Sequence, residues 1–216
     1  AVKRGLEAVL PGVIVEKITI NRHDLRHPIP EDLVRQIKGK KFLSIKRRAK
    51  YLLLEMEGGT TLLSHLGMSG SWVVRKKGEY KPQTHDHIIL SLSGSRELVY
   101  NDPRRFGLLL PLKTKEAYDH PLLSHLGPEP LEKAFSADYL GENLKKRNGP
   151  IKTVLMDQQL VVGVGNIYAS EALFRTKIHP AAPAKQVAAC AGDLIAAIQT
   201  VLKEAITSGG STLRNY

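Results

Sequence analysis

Two adjacent arginines and an aromatic stand together in Asn101-Asp102-Pro103-Arg104-Arg105-Phe106-Gly107. Asp-Pro between two strand-like runs, 97–100 and 108–110, predicts a tight turn. Such a turn presents Arg104, Arg105 and Phe106 together at a loop tip. A guanidinium is a planar fork of donors suited to phosphates and base edges, and a phenyl ring stacks on or wedges between bases. Taken alone, the heptapeptide favours a plainer reading: a solvated turn whose phenylalanine drops into the core, since exposed arginines in turns are ordinary.

Other stretches change that balance. His65-Leu66-Gly67-Met68-Ser69-Gly70-Ser71 holds a lone methionine between glycines, whereas methionine usually fills a core gap. Arg47-Arg48-Ala49-Lys50 sets a basic cluster at the mouth of a β-like run, although by itself Lys50 is one more surface lysine. His85-Asp86-His87 puts two histidines on one side of an extended segment. With only His65 as a third ligand, that spacing falls short of a metal site, and none is expected. Gly163-Val164-Gly165-Asn166 joins two helical stretches; its glycines permit a tight turn, and Asn166 can cap the helix that follows. Free amides at such a helix start also suit a phosphate. Lys145-Lys146-Arg147, with Lys152 nearby, reads either as a solvated helix face or as phosphate contact.

Composition narrows the partners. Thirty-two Lys and Arg against 21 Asp and Glu give a formal charge of +11 over 216 residues, and the sequence pI is about 9.7. A charge of that sign favours a polyanion, and no long apolar span or basic amphipathic anchor points to a membrane. The start lacks a continuous apolar core ahead of a small-residue cleavage site, so a cytosolic setting is expected. One cysteine, Cys190, allows neither an internal disulfide nor a cysteine-based zinc site; set among alanines, it reads as a small core residue.

The elements that must position these residues follow from periodicity. Val2, Leu6, Val9 and Leu10 recur at helical spacing from the first residue, with no capping side chain ahead of them. Alternation over 12–21 predicts a strand, 31–38 a short amphipathic helix, and 41–112 several short strands separated by glycine turns, which suggests an antiparallel sandwich or barrel. The β pattern stops at Lys113. A proline-punctuated stretch, 126–131, reads as a boundary, and helices are predicted over 136–145, 151–157, 167–174 and 185–207. The expected fold class is α+β: an N-terminal antiparallel β-sandwich with flanking helices over 1–126, a linker over 127–135, and a helical domain over 136–216.

Together, the heptapeptide, the Met68 stretch and the Arg47–Glu55 stretch resemble the bacterial formamidopyrimidine-DNA glycosylase family. The resemblance continues in Leu126-Gly127-Pro128-Glu129-Pro130-Leu131, in Leu155-Met156-Asp157, and from Val162 to Glu171, so it runs the length of the chain. It implies a base-excision-repair glycosylase and AP lyase that removes 8-oxoguanine and formamidopyrimidines from duplex DNA, with a helix–two-turn–helix element around Asn166. In that scheme Met68 fills the void left by the everted nucleotide. Arg104 hydrogen-bonds the orphaned cytosine, and Phe106 wedges into the adjacent step. Lys50 lies in the active site against the lesion strand. His85, Arg105, Arg147, Lys152 and Asn166 hold DNA.

The resemblance also implies parts this sequence does not contain. The family's nucleophile is an N-terminal proline amine with an adjacent glutamate, and a four-cysteine zinc finger follows the region matching Tyr216. Neither is present, so the chain reads as cut at both ends, without a cofactor of its own, one zinc ion belonging to the full-length family protein. It is expected to bind DNA without useful turnover. The partner implied is double-stranded DNA bearing oxidised or abasic sites, met by a monomer in a bacterial, nucleoid-associated cytoplasm. Two rivals are an endonuclease VIII-like glycosylase for oxidised pyrimidines and a non-enzymatic damaged-DNA-binding module.

Overall fold

The computed structural model describes residues 2–79 and 81–209. Ala1, where the first helical pattern was expected to begin, and residues 210–216 lie outside them. The chain divides into two compact units, Val2–His120 and Pro121–Tyr216. The division falls a few residues before the proline-punctuated stretch.

The first unit is built on eight strands: β1 (Val15–Ile20), β2 (Phe42–Arg48), β3 (Tyr51–Met56), β4 (Thr60–His65), β5 (Ser71–Lys76), β6 (Asp86–Leu92), β7 (Arg96–Asn101) and β8 (Leu108–Lys113). They form two four-stranded antiparallel sheets, ordered β1-β6-β7-β5 and β2-β3-β4-β8. Two short helices, α1 (Val2–Glu7) and α2 (Leu33–Ile37), pack against β2 and β8 respectively. Apolar residues at alternate positions of both sheets, among them Ile45, Leu52, Leu54, Leu62, Ile88, Leu90 and Leu98, make one core. This is the expected sandwich, and the α+β class holds.

Trp72 on β5 ties the two sheets together. Its ring lies 4.9 Å from Tyr100, and its Nε1–H donates to Ser64 Oγ on β4 at 2.9 Å, with both groups buried. A buried indole N–H needs such a partner, because leaving it unmade would cost about 1–3 kcal/mol.

The second unit is helical: α3 (Ala137–Lys145), α4 (Ile151–Leu155), α5 (Asn166–Arg175), α6 (Ala184–Val187) and α7 (Ala191–Thr207). Ser136 caps α3 by accepting from the Tyr139 amide at 3.1 Å. The proline-punctuated stretch is hydrogen-bonded into this unit: the Gly127 amide donates to Gln158 O, the Val162 amide donates to Pro128 O, and Phe135 is buried in the helical core.

Two expectations here are corrected. The helix predicted over 185–207 is not continuous, because a 3-10 turn at Ala188–Cys190 separates α6 from α7. Ala184 and Val187 still lie in the same core as Leu194 and Ile198. Cys190, read as a core residue, is exposed, because it occupies the turn at the start of α7 rather than a helix face.

The cross-sheet bond generates a test. Trp72→Phe keeps an aromatic ring in the core but loses part of the indole's packing and leaves Ser64 Oγ without its donor, and should destabilise the first unit by at least about 1–3 kcal/mol in urea unfolding.

Candidate nucleic-acid interface

Strand register brings the sequence-named residues of the first unit to one end of the sandwich. In one sheet Arg48 pairs with Tyr51, Tyr51 with His65, and His65 with Leu108. In the other, Ser71 pairs with Asn101, and Asn101 with Asp86. The Ala49-Lys50 turn, the 66–70 loop, His85 and the 102–107 loop therefore all emerge at this end. The loop after β1 joins them, since the Asn21 amide donates to His87 O and the Arg26 amide to Arg105 O.

Two of these loops are fastened to each other. Asp102 is fully buried, and its carboxylate accepts from Ser69 Oγ–H at 2.7 Å, the Gly107 amide at 2.8 Å and Tyr100 O–H at 3.2 Å. Ser69 Oγ in turn accepts from the Arg104 amide at 3.1 Å. Burial, then the nearby Asp102 charge and hydrogen bond, push the Tyr100 phenol well above its ordinary range. Glycine makes the approach possible. Gly67 has a φ of +62°, and a Cβ there would stand 2.7 Å from the Phe106 carbonyl carbon.

What these loops leave outside is unusual. Met68 is 72% exposed and Phe106 44%, although both are large and apolar. The Arg104 guanidinium lies 5.0 Å above the Phe106 ring, a cation–π stack that holds both side chains at the tip. The plainer reading of the heptapeptide, with its phenylalanine in the core, is therefore corrected: the backbone of Phe106 is pinned between Gly67 and Gly107, and its ring points out. Arg105, expected to hold phosphate, has a left-handed φ of 57° and pairs with Asp24 at 2.6 Å. Asp24 also accepts from Arg22, and that hydrogen bond is the main reason its carboxyl lies below the usual range.

Lys50 sits exposed in the two-residue turn between β2 and β3, where Arg47 Nη1 donates to Ala49 O at 2.8 Å. The two histidines of His85-Asp86-His87 lie edge to face, their ring centroids 6.2 Å apart, but differ in burial. A register shift between Asp86 and Ile88 turns His87 inward, where its Nε2 bonds Asp102 O at 2.8 Å, while His85 stays exposed. A carbonyl only accepts, so that Nε2 carries the proton. Among the described residues no three His, Cys, Asp or Glu side chains converge on a metal-sized space. With a single cysteine in the sequence, the residues present do not fit a zinc centre.

In the second unit Asn166 opens α5 with its side chain exposed. The cap is Gly165, without a side-chain bond, so the expected capping role of Asn166 is corrected: the residue lies one position inside the helix. Asn166 and Lys152 line a groove of about 780 Å³ with Ser170, Glu171, Phe174 and His179. Arg147 donates to Asp157 at 2.5 Å. Burial alone would raise the Asp157 carboxyl, but Arg147 and the Gln159 amide outweigh it and leave it below the usual range.

Sequence reasoning missed Asp102, Ser69 and Asp24, and considered His65 only as a metal ligand. His65 Nδ1 accepts the Gly67 amide at 2.9 Å, and its ring lies 4.9 Å from Tyr51. Burial first, then the charges of Lys50 and Arg26, hold its imidazole below the ordinary value. Asp102 carried a faint signal, since a carboxylate ahead of proline at a strand end is turn chemistry whether it is buried or not.

Cations and apolar side chains offered together at adjacent loop tips, on a chain of formal charge +11, define a nucleic-acid-binding protein. Comparison with known proteins identifies the kind. Residues 1–109 match the formamidopyrimidine-DNA glycosylase N-terminal domain, and 126–216 match the formamidopyrimidine-DNA glycosylase H2TH domain. Formamidopyrimidine-DNA glycosylase of Rhodospirillum rubrum is 48% identical over all of this chain and 77% of its own length; that of Roseobacter denitrificans is 44% identical over all of this chain and 79% of its own. Among solved structures, the MutM (Fpg) protein of Thermus thermophilus superposes with a TM-score of 0.85 at 37% identity, covering 98% of this chain and 76% of that one. The Lactococcus lactis enzyme bound non-covalently to DNA containing an AP site reaches 0.90 at 32% identity, covering 97% and 80%. The chain belongs to the formamidopyrimidine-DNA glycosylase family. No helix among its described residues is long and apolar enough to cross a membrane.

His65 generates a prediction. Its folded-state value lies below the ordinary 6.5, so the unfolded chain takes up a proton that the fold resists. Its contribution is complete above that value and is lost as pH falls through it, levelling off below the folded value. Urea midpoints of the wild type and His65→Asn, taken between roughly pH 5 and 8, should diverge in that window, with the wild type falling more steeply toward acid.

Proposed function

We propose that this chain is the lesion-engaging part of a base-excision-repair DNA glycosylase and AP lyase acting on oxidised purines in duplex DNA. The observation that carries the reading is the convergence of Met68, Arg104 and Phe106, exposed at the tips of two mutually fastened loops. Turning a nucleotide out of the stack costs a few kcal/mol. Burying Met68 and Phe106 between bases returns roughly 1.5–3 kcal/mol each, which is enough to offset it. Met68 then fills the void, Phe106 wedges the neighbouring step, and Arg104 offers its fork of donors to the orphaned base, cytosine opposite a guanine lesion.

The remaining roles follow from position. Lys50 and His85, at the same end of the sandwich, face the lesion strand and its backbone. Asn166 and Lys152 contact phosphates from the helical unit. Arg105 and Arg147 join them only by exchanging Asp24 and Asp157 for phosphate, and exposed ion pairs of the Arg105–Asp24 kind are weakly held in water. The reaction proposed is attack of an amino-terminal proline amine on the sugar C1′, expulsion of the base, and elimination from the resulting iminium. A polypeptide of residues 1–216 alone supplies no such proline. It should bind lesion duplex as a monomer without being trapped by borohydride, whereas the same polypeptide extended by an amino-terminal Pro-Glu segment should be trapped.

Binding tests the reading without chemistry. Wild type should bind a duplex with a tetrahydrofuran abasic analogue opposite cytosine more tightly than the same analogue opposite adenine. Arg104→Ala should remove about 1–3 kcal/mol of that preference while leaving intact-duplex affinity little changed. An unaltered preference in Arg104→Ala would refute the assignment. Tighter binding to thymine glycol than to 8-oxoguanine would favour the pyrimidine-specific alternative.

A further inference from the structure

We infer that Asp102 is a positioning residue: through Ser69 it couples the Met68 loop to the Arg104 turn, so that void filling and partner-base reading occur as one rigid event. The inference rests on the damaged-DNA reading above and adds to it two residues that never touch the base. A buried carboxylate is expensive unless every lone pair facing protein is used. Here the surrounding groups are all donors: Ser69 O–H, Tyr100 O–H and the Gly107 N–H. An acceptor-only side chain is therefore demanded, and an amide would turn an N–H₂ toward a donor.

Closing the turn between β7 and β8 needs only the Tyr100 and Gly107 bonds to the Asp102 carboxylate and the Asp102 carbonyl, which takes the Arg105 amide at 3.2 Å. The Ser69 arm is additional and comes from a different loop, 33 residues away in sequence. Ser69 Oγ donates to Asp102 and accepts from the Arg104 amide, so one hydroxyl fixes the backbone beside Met68 and the backbone of Arg104 at once. Gly67 against Phe106 sets the approach on the other side of the same seam. Cutting the arm leaves each side chain present and exposed but free to move independently, and a loss of relative placement of about 1 Å is enough to disable a preorganised pair.

The test uses Ser69→Ala, which removes the bridge and leaves the Tyr100 and Gly107 bonds to Asp102 intact, with Ser69→Thr as the hydroxyl-retaining control and Asp102→Asn as the second cut. Affinity is measured for the tetrahydrofuran duplex opposite cytosine, the same duplex opposite adenine, and intact duplex. A 2-aminopurine beside the analogue reports unstacking by fluorescence. Ser69→Ala and Asp102→Asn should each lower the cytosine-over-adenine preference about tenfold and weaken the fluorescence rise. Intact-duplex affinity should stay within about twofold, and Ser69→Thr should restore the preference. Three results would overturn the inference: an unchanged preference in folded Ser69→Ala, a uniform loss across all three duplexes, or no rescue by threonine. If wild type itself prefers neither the abasic-analogue duplex nor cytosine, the damaged-DNA reading fails and the inference falls with it; if wild type keeps the preference and the variants do too, only the inference fails.

Discussion

Everything at the working end of the sandwich depends on a carboxylate with no solvent. Asp102 sits where a strand ends, a proline begins and another loop arrives, and its two oxygens take donors from both sides. Ionised groups in such places stay charged only when hydrogen bonds replace water in full. That requirement fixes the neighbours. Gly107 must bring its amide close, Gly67 must leave to Phe106 the space a Cβ would take, and Tyr100 must keep its proton to donate it. The exposed tips are the complement of this arrangement: once the backbones are locked inward, Met68, Arg104 and Phe106 have only the outside left to occupy.

The two units offer different chemistry to a polyanion. In the sandwich, apolar and forked side chains stand on a rigid platform, suited to entering a duplex rather than lying along it. In the helical unit, Asn166 and Lys152 surround a helix start, and Arg147 is already neutralised by Asp157. Under the proposed function the first arrangement would discriminate, because its contacts would exist only where a base has left the stack.

Electrostatics at the same end are tuned rather than merely positive. His65 is kept neutral by burial and by the charges of Lys50 and Arg26, which leaves its Nδ1 free to accept the Gly67 amide and hold the start of the Met68 loop. Arg105 and Arg22 share Asp24, so part of the positive charge at this end is already paired within the protein.

A good deal was legible in the residues themselves. Alternation over the β region and the halt at Lys113 predicted a sandwich followed by helices, because side-chain period is a local property of the chain. The oddity of Met68 between glycines and the Arg104-Arg105-Phe106 run were visible for the same reason: they violate local expectation, and such violations mark functional sites. What sequence could not supply was company. That Ser69 meets Asp102, that Arg105 finds Asp24, that His87 turns in while His85 stays out, and that Cys190 is exposed are consequences of strand register, a bulge and a helix bend. Register is decided by pairing residues dozens of positions apart, such as His65 with Leu108. Local pattern settles which side chains are available and which elements carry them; which loops share an end of the sandwich is set by long-range pairing, because that pairing selects the one arrangement that buries the core and satisfies Asp102 together.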